Sequence, residues 1–242
     1  MKILITNDDG IQAPGLRALA DWAESLGEVV ICAPARQQSG KSHSITIGEP
    51  IRILPSDAFS GRKAYEVDGT PVDCVRYAVI GLGLRFDLVL SGVNRGYNAG
   101  DDIAFSGTVG AAFEAARMEL TAVAFSAGAS DSLDGISDHL EEAYDFLVSN
   151  RLLERCRVFN VNIPPDPHGI RWTRQGGTCY TDRFVPKGEA LYSQEGMCRY
   201  LETEDPSFDT GAIASGYLSV TPLSLSRTDF AVFDSFRSPE SL

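Results

Sequence analysis

Two adjacent aspartates, Asp8 and Asp9, follow a short apolar run near the start of the chain and precede Gly10. Neighbouring carboxylates repel each other, and partial burial increases the cost of keeping both ionised. A divalent cation removes that cost, and carboxylate, amide and hydroxyl oxygens are the ligands that hard ions such as Mg²⁺, Mn²⁺ and Ca²⁺ prefer. The pair therefore indicates a metal site, although Asp-Asp-Gly alone also fits a turn with solvated carboxylates.

Two other polar segments could supply further oxygen ligands. Ser39 lies in a polar run after the second apolar segment, and Asn94 closes the run Ser91-Gly92-Val93-Asn94. A loop hydroxyl bonded to its own backbone is the alternative for Ser39, and stabilisation of a Gly-rich loop is the alternative for Asn94. Ser39-Gly40-Lys41-Ser42 is not the end of a P-loop, because Ala35 stands where that motif requires glycine.

Ser106, Gly107 and Thr108 directly precede a predicted helix. The first turn of a helix has unpaired N–H groups and a partial positive charge, which favour a phosphate. An ordinary Ser/Thr N-cap is the alternative. The three histidines, His43, His139 and His168, are too dispersed for a zinc site, and no GxSxG elbow indicates a serine hydrolase.

Strands and helices alternate around these residues. Apolar runs predict strands at residues 2–6, 28–33, 86–90, 122–126 and 157–163, and helical periodicity predicts helices at 14–26, 71–82, 108–118 and about 138–149. This order predicts an α/β protein with a Rossmann-like, doubly wound, mostly parallel sheet. Ligands bind outside the carboxyl ends of such strands, which is where Asp8, Ser39 and Asn94 fall.

The alternation divides the chain into two regions. Residues 1–163 form the predicted catalytic core, in which the alternating segment 44–53 is expected to form strands or a hairpin. Residues 164–242 show no clean helical period and predict a C-terminal strand/loop extension that serves oligomerisation. One strand at about 217–221 is expected to return to the core, and the last twenty residues either pack on a neighbouring subunit or are partly loose.

The composition argues against some classes of function and indicates the cellular compartment. A net charge of −12 argues against binding of nucleic-acid polymers, since that affinity comes from Lys and Arg on phosphates. Five scattered cysteines without CxxC spacing indicate free thiols in a reducing compartment. No stretch of about 18 apolar residues predicts a membrane span, and the apolar start is too short for a signal peptide. We therefore expect a cytoplasmic protein.

Together the polar segments resemble those of the SurE family of survival-protein nucleotidases. The residues that carry the resemblance are Ile5–Gly10 with Ala13-Pro14-Gly15, Ala33-Pro34 with Ser39-Gly40 and Ser42, Asp68–Val75, Ser91–Asp102, Ser106–Val109, Asn160-Val161-Asn162 and Gly216–Leu223. The matching segments are long and occur in a fixed order, which makes the resemblance specific. They cover most of the first 163 residues and one block near the C-terminus, whereas residues 164–210 match weakly.

The resemblance implies a metal-dependent phosphatase that hydrolyses nucleoside 5′-monophosphates, and 3′-monophosphates in some members, as a homodimer or homotetramer. It implies one divalent ion, Mg²⁺ or Mn²⁺, held by Asp8, Asp9, Ser39 and Asn94, with Asp8 and Asp9 as the catalytic residues. Phosphate contacts are implied for Asn94, Ser106, Gly107 and Thr108. Attack by water and attack by an aspartate to give an aspartyl-phosphate both remain open. A nucleotide- or phosphosugar-binding module without turnover is the alternative function.

Overall fold

The computed structural model describes residues 1–236, which contain thirteen strands and six α-helices. The strands are β1 Lys2–Thr6, β2 Glu28–Pro34, β3 Ile53–Pro55, β4 Lys63–Val67, β5 Leu88–Arg95, β6 Ala122–Ala127, β7 Val158–Ile163, β8 Ile170–Trp172, β9 Thr178–Tyr180, β10 Arg183–Gly188, β11 Leu191–Glu195, β12 Cys198–Tyr200 and β13 Leu218–Leu223. The helices are α1 Pro14–Ala23, α2 Pro71–Arg76, α3 Gly107–Arg117, α4 Ile136–Ser149, α5 Asp209–Ala214 and α6 Phe230–Ser235.

Nine of the strands form one sheet in the order β3-β4-β2-β1-β5-β6-β7-β13-β8. β4, β2, β1, β5, β6 and β7 are parallel to one another. From β1 the chain adds β2 and then β4 on one side of the sheet. It then crosses back to add β5, β6 and β7 on the other side of β1, so the strand order reverses between β1 and β5. This confirms the α/β, mostly parallel, doubly wound prediction. In sheets of this kind, ligands bind at the carboxyl ends of the strands where the order reverses, which here are β1 and β5.

Alternating side chains of the sheet belong to two separate hydrophobic cores, one on each face. Ile3 and Ile5 of β1 lie in a cluster with residues of α1 and α4 on one face. Leu4 lies in a cluster with residues of α2 and α3 on the other face. This is the period of two that a strand buried on both faces requires.

Local sequence signals set the starts of the helices. α2 begins at a capping box in which the Thr70 hydroxyl accepts from Asp73 N, while the Asp73 carboxylate accepts from Thr70 N. α1 begins at Pro14, whose missing N–H would be unpaired there in any residue. Gly15 allows α1 to pack directly on β5, because a Cβ at this position would lie 2.0 Å from the Val93 carbonyl oxygen.

Four predicted boundaries were wrong, each for a physical reason. α1 ends at Ala23, and the next residues form a turn that ends at Gly27, where a Cβ would meet Met1 O at 2.1 Å. The helix predicted over 71–82 is α-helical only to Arg76 and then widens into the π-helix Tyr77–Gly81. β5 continues beyond residue 90 to Arg95, and Gly92 makes this possible because a Cβ there would meet Phe125 O at 2.3 Å. The strands or hairpin predicted for segment 44–53 do not form, and only Ile53 enters a strand, β3. The side chains of Thr70 and Asp73, at the start of α2, bind the segment instead.

Residues 164–236 are more ordered than the sequence suggested. β13 pairs antiparallel with β7 and parallel with β8, whereas β9–β12 and β10–β11 form two separate two-stranded ribbons. α5 was missed because it is only six residues long. The prediction for the last twenty residues extends to residues 237–242, which lie outside the described part of the chain. No helix within residues 1–236 has the length and apolarity needed to cross a bilayer.

Candidate functional site at the ends of β1 and β5

The turn after β1 holds two carboxylates in fixed positions. Asn7 closes it through both ends of its side chain: Nδ2 donates to Gly10 O at 3.0 Å, and Oδ1 accepts from Gly10 N at 3.2 Å. Gly10 has a φ of +102°, a conformation that L side chains rarely adopt. Asp8 and Asp9 therefore sit on a closed turn rather than on a loose loop, which argues against a merely solvated Asp-Asp pair.

Asp8 is buried against the first turn of α3. Only 5% of the residue is exposed, and its Oδ1 accepts a 2.5 Å hydrogen bond from the Thr108 hydroxyl. A Cβ on Gly107 would lie 3.0 Å from Asp8 Cβ and 3.2 Å from Oδ2, so the absence of a side chain there admits the carboxylate. Burial raises the pKa of Asp8 to about 6, the charge of Asp9 adds to the rise, and the Thr108 hydroxyl opposes it.

Asp9 connects two other loops to the same turn. Its Oδ1 accepts from Gln37 Nε2 at 3.3 Å, and its Oδ2 accepts from the backbone N–H of Arg95 at 3.2 Å. The two loops follow β2 and β5, the strands on either side of β1. Sequence reasoning missed Gln37 and Arg95, since a long exposed side chain and a backbone N–H carry no recognisable pattern.

Ser39 and Asn94 lie next to these contacts. The residue before Ser39, Gln38, donates its backbone N–H to Asp8 O at 2.7 Å. Ser39 itself is exposed. Asn94 precedes Arg95, and its Nδ2 donates to Gly96 O at 2.7 Å, which leaves Oδ1 as the acceptor atom of the amide. The loop that carries Ser39 and the end of β5 that carries Asn94 thus meet at the Asp8–Asp9 turn.

The hydroxyl groups at the start of α3 form hydrogen bonds within the protein. Ser106 is the N-cap, and its Oγ accepts from Val109 N at 3.0 Å, as expected for an ordinary cap. The Thr108 hydroxyl is bound to Asp8. What the turn offers a ligand is therefore its backbone: the first N–H groups of a helix have no intrahelical acceptor, and they carry a partial positive charge.

The neighbouring polar residues Asn98, Asp101 and Asp102 have structural roles instead. Asn98 is bound through its backbone to the side chains of Asn160 and Asn162 on β7. Asp101 accepts from Thr178 N at 3.0 Å, and Asp102 accepts from the hydroxyls of Thr178 and Tyr180. The loop after β5 is thereby fixed to the sheet on one side and to β9 on the other.

Oxygen atoms dominate the possible metal ligands at this edge of the sheet. Across residues 1–236, no three or more His, Cys, Asp or Glu side chains gather in a group that could hold a metal ion. The candidate set contains two carboxylates, and its remaining donors are the Ser39 hydroxyl and the Asn94 amide oxygen. A buried carboxylate with a raised pKa, next to a second carboxylate, fits a position that a hard cation would neutralise.

Comparisons with known proteins point to one family. Residues 3–182 match the family model described as survival protein SurE. The 5′-nucleotidase SurE of Acinetobacter baumannii strain SDF is 38% identical over 98% of this chain and 99% of its own length. That of Syntrophotalea carbinolica is 41% identical over 97% and 95%. The crystal structure of the SurE protein from Aquifex aeolicus, 35% identical, superposes with a TM-score of 0.77 and covers 98% of both chains.

Proposed function

Since the chain belongs to the SurE family, we propose that it is a 5′-nucleotidase that hydrolyses nucleoside monophosphates to nucleoside and phosphate with the help of a divalent cation. The observation that carries the proposal is that the loop after β2, the end of β5 and the first turn of α3 all make hydrogen bonds to the Asp8–Asp9 turn after β1. We extend the proposal to 3′-monophosphates as a second class of substrate, to be tested beside the first.

Four residues would hold the cation, namely Asp8, Asp9, Ser39 and Asn94. A divalent ion, Mg²⁺ or Mn²⁺, supplies Lewis-acid chemistry at such a position by polarising a phosphoryl oxygen and making water more acidic. The chain itself supplies orientation: the Thr108 hydroxyl fixes one oxygen of Asp8, and Arg95 N and Gln37 fix those of Asp9. Carboxylates held in this way need little reorganisation as the reaction proceeds.

Phosphate contacts would come from the first turn of α3 and from Asn94. The backbone N–H groups of Gly107 and Thr108 can donate to non-bridging phosphoryl oxygens, and the absence of a side chain at Gly107 allows close approach. In the water route, these donors hold the phosphoryl group while a water oxygen forms a bond to phosphorus and the nucleoside oxygen leaves. In the alternative route, a carboxylate oxygen of Asp8 or Asp9 forms a bond to phosphorus while the bond to the nucleoside oxygen breaks and that oxygen takes up a proton. Water then hydrolyses the aspartyl-phosphate to phosphate and the free carboxylate.

A phosphate-release assay tests the proposal. The purified protein is incubated with AMP, GMP, 3′-AMP and p-nitrophenyl phosphate in Mn²⁺, in Mg²⁺ and in EDTA. We expect turnover with a metal, none with chelator, and a loss of about a hundredfold or more in Asp9→Asn, as for removal of one major electrostatic contact in an active site. Asp145→Asn, an exposed carboxylate on α4, is the matched control. Nucleotide binding without phosphate release would instead indicate a binding module, and rapid-quench trapping of a phosphoenzyme would select the aspartate route.

We propose that residues 1–163 form the catalytic core and residues 164–242 an extension that serves homodimer or homotetramer formation, with β13 returning to the core sheet. Large apolar side chains exposed on the β10–β11 ribbon support this: Phe184 is 71% exposed, Leu191 64% and Tyr192 63%. An apolar surface of this kind in a soluble chain usually marks an interaction site. A second copy of the chain is the proposed occupant.

We further propose that the protein works in the cytoplasm. All five cysteines are unpaired, and Cys32 and Cys74 are buried within the core. Free thiols in this number are typical of a reducing compartment.

A further inference from the structure

A buried carboxylate on α3 is not explained by binding of phosphate or metal. The Glu114 side chain is 2% exposed, and it lies two helical turns from Ser106, on the same helix that contacts Asp8. Its Oε1 accepts from Arg76 Nη1 at 2.7 Å, and its Oε2 lies 2.8 Å from His43 Nε2. These two partners, His43 first, outweigh burial and lower the pKa of Glu114, so the carboxylate is held in its charged form.

His43 belongs to the segment 38–46, called the strap below, which carries Ser39 across α3. One end of the strap is bound to the metal-site turn by Gln38 N, which donates to Asp8 O at 2.7 Å. Its middle is bound to the loop before α3: Ser42 Oγ donates to Ala104 O at 2.6 Å and Ser42 N to Phe105 O at 3.0 Å. The far end is bound to α2 by Thr46, whose hydroxyl donates to Asp73.

The strap lies directly on the helix. A Cβ on Gly110 would come within 2.4 Å of Ser42 O, so glycine at this position permits the contact. Ser39, Gly40 and Lys41 are exposed and lie between the anchor at Gln38 and the anchors at Ser42 and His43. The position of Ser39 relative to Asp8 is therefore set by contacts at both ends of this short span.

We propose that Glu114 is a positioning residue, which through His43 fixes the strap so that the Ser39 hydroxyl faces the cation held by Asp8 and Asp9. The inference rests on the proposed function in one respect, because it takes Ser39 as a metal ligand. α3 then supports both parts of the metal site. Its first turn contacts Asp8, and its Gly110 and Glu114 contact the strap that carries Ser39.

A purely structural clamp between helices is the competing explanation. Of the three partners of Glu114, Arg117 lies 3.8 Å away on α3 itself, and the other two separate the possibilities. Arg76 joins Glu114 to α2, whereas His43 joins it to the strap. The His43 side chain is 19% exposed, so its replacement leaves no large cavity in the core. A change at His43 therefore removes the contact between Glu114 and the strap, while the helix-to-helix contact through Arg76 stays in place.

The experiment measures Mn²⁺ affinity, without nucleotide, by electron paramagnetic resonance of the free ion. Nucleotide kinetics alone would not serve, because His43 also lines a cleft of about 320 Å³ beside Ser106. The variants are His43→Ala, His43→Gln, Ser39→Ala and the double variant of Ser39→Ala with His43→Ala. The control is His139→Ala, which removes a more exposed histidine 3.7 Å from Glu142 on α4.

We expect His43→Ala to weaken Mn²⁺ binding about tenfold, a typical effect of a partner that orients a ligand. His43→Gln, whose amide can still donate to Glu114, should restore most of the affinity. In the double variant, His43→Ala should add almost nothing once Ser39 is gone, since the two changes act on one interaction.

Two outcomes would overturn the inference, and two others would refute parts of the proposed function on which it rests. Unchanged affinity in His43→Ala, with Mn²⁺ binding intact in the parent protein, would overturn it. A loss of Mn²⁺ affinity in the double variant equal to the sum of the two single losses would also overturn it. Such additivity would mean that His43→Ala acts by a general loosening of the fold and not through Ser39. Failure of the parent protein to bind Mn²⁺ would refute the proposed metal site itself, and phosphate release without any metal would refute only the metal dependence of the proposed function.

Discussion

The replacement Asp8→Asn should stabilise the metal-free protein while abolishing its response to metal. Asp8 is almost completely buried, and its pKa is raised to about 6 from an ordinary value of 3.8. In the unfolded chain the carboxyl group ionises near pH 3.8, whereas in the folded chain it holds its proton to a higher pH. As pH rises through this window, the folded state loses stability relative to the unfolded state, and the loss is complete above about pH 6 to 7.

The magnitude follows from the size of the shift. Since one pKa unit corresponds to about 1.4 kcal/mol, the ionised Asp8 costs about 3 kcal/mol at pH 8 and about 1.5 kcal/mol at pH 5. Asparagine has nearly the same shape and no charge, so Asp8→Asn should recover most of this cost. The variant should therefore be more stable than the parent protein in EDTA, and the difference should grow between pH 5 and pH 8.

Urea unfolding in EDTA at the two pH values measures the prediction, followed by the same titrations in Mn²⁺. Bound metal stabilises the parent protein by about 2.7 kcal/mol at a hundredfold excess over the dissociation constant, whereas Asp8→Asn should gain almost nothing. Asp145→Asn, on the exposed side of α4, should change neither result. A variant that is less stable than the parent at pH 8 in EDTA, or a difference that does not change with pH, would refute the reasoning.

Four other changes test separate parts of the structure. Gly107→Ala should weaken Mn²⁺ binding, because the new Cβ would lie 3.0 Å from Asp8 Cβ, and should lower the stability of the fold by only about 1 kcal/mol. Calorimetry measures the Mn²⁺ affinity, and thermal melting measures the stability. Tyr180→Phe, which removes the hydroxyl bound to Asp102, should speed limited proteolysis of the β9–β12 region, and Tyr192→Phe should not. Leu191→Ser with Tyr192→Ser should lower the mass measured by sedimentation, because both side chains are exposed. Asn94→Asp should tighten Mn²⁺ binding and raise the KM for AMP, since it adds a negative charge beside the phosphate; steady-state kinetics at saturating Mn²⁺ would detect it.

Much of the core followed from local sequence signals. The β-α-β opening and the helix after Ser106 each depend on neighbouring residues, so pattern and turn chemistry were sufficient. The rule that ligands bind at the carboxyl ends of parallel strands then brought Asp8, Ser39 and Asn94 to one edge before any distance was known. The loops that carry these residues do meet there.

Contacts between distant segments could not be predicted in the same way. Glu114 stands alone among small residues, and only the fold reveals that it meets His43 and Arg76. Asp102 carries a carboxylate, as many metal ligands do, but this carboxylate accepts a hydrogen bond from Tyr180, 78 residues away. A strand/loop extension was predicted for residues 170–200, but its individual strands could not be placed. They are three to six residues long and largely exposed on both faces, so they lack the alternation that identifies a strand.

The charge balance of the proposed site would allow a protein of net charge −12 to accept a phosphate. Two ionised carboxylates and one divalent cation sum to zero, and Ser39 and Asn94 would complete the ligand set without adding charge. The first turn of α3 then contributes a partial positive charge of about half a unit. A third carboxylate in place of Asn94 would hold the cation more tightly but would leave the site negative towards its substrate. In the proposed site, neutral oxygen donors at these two positions would therefore favour binding of an anion over maximal affinity for metal.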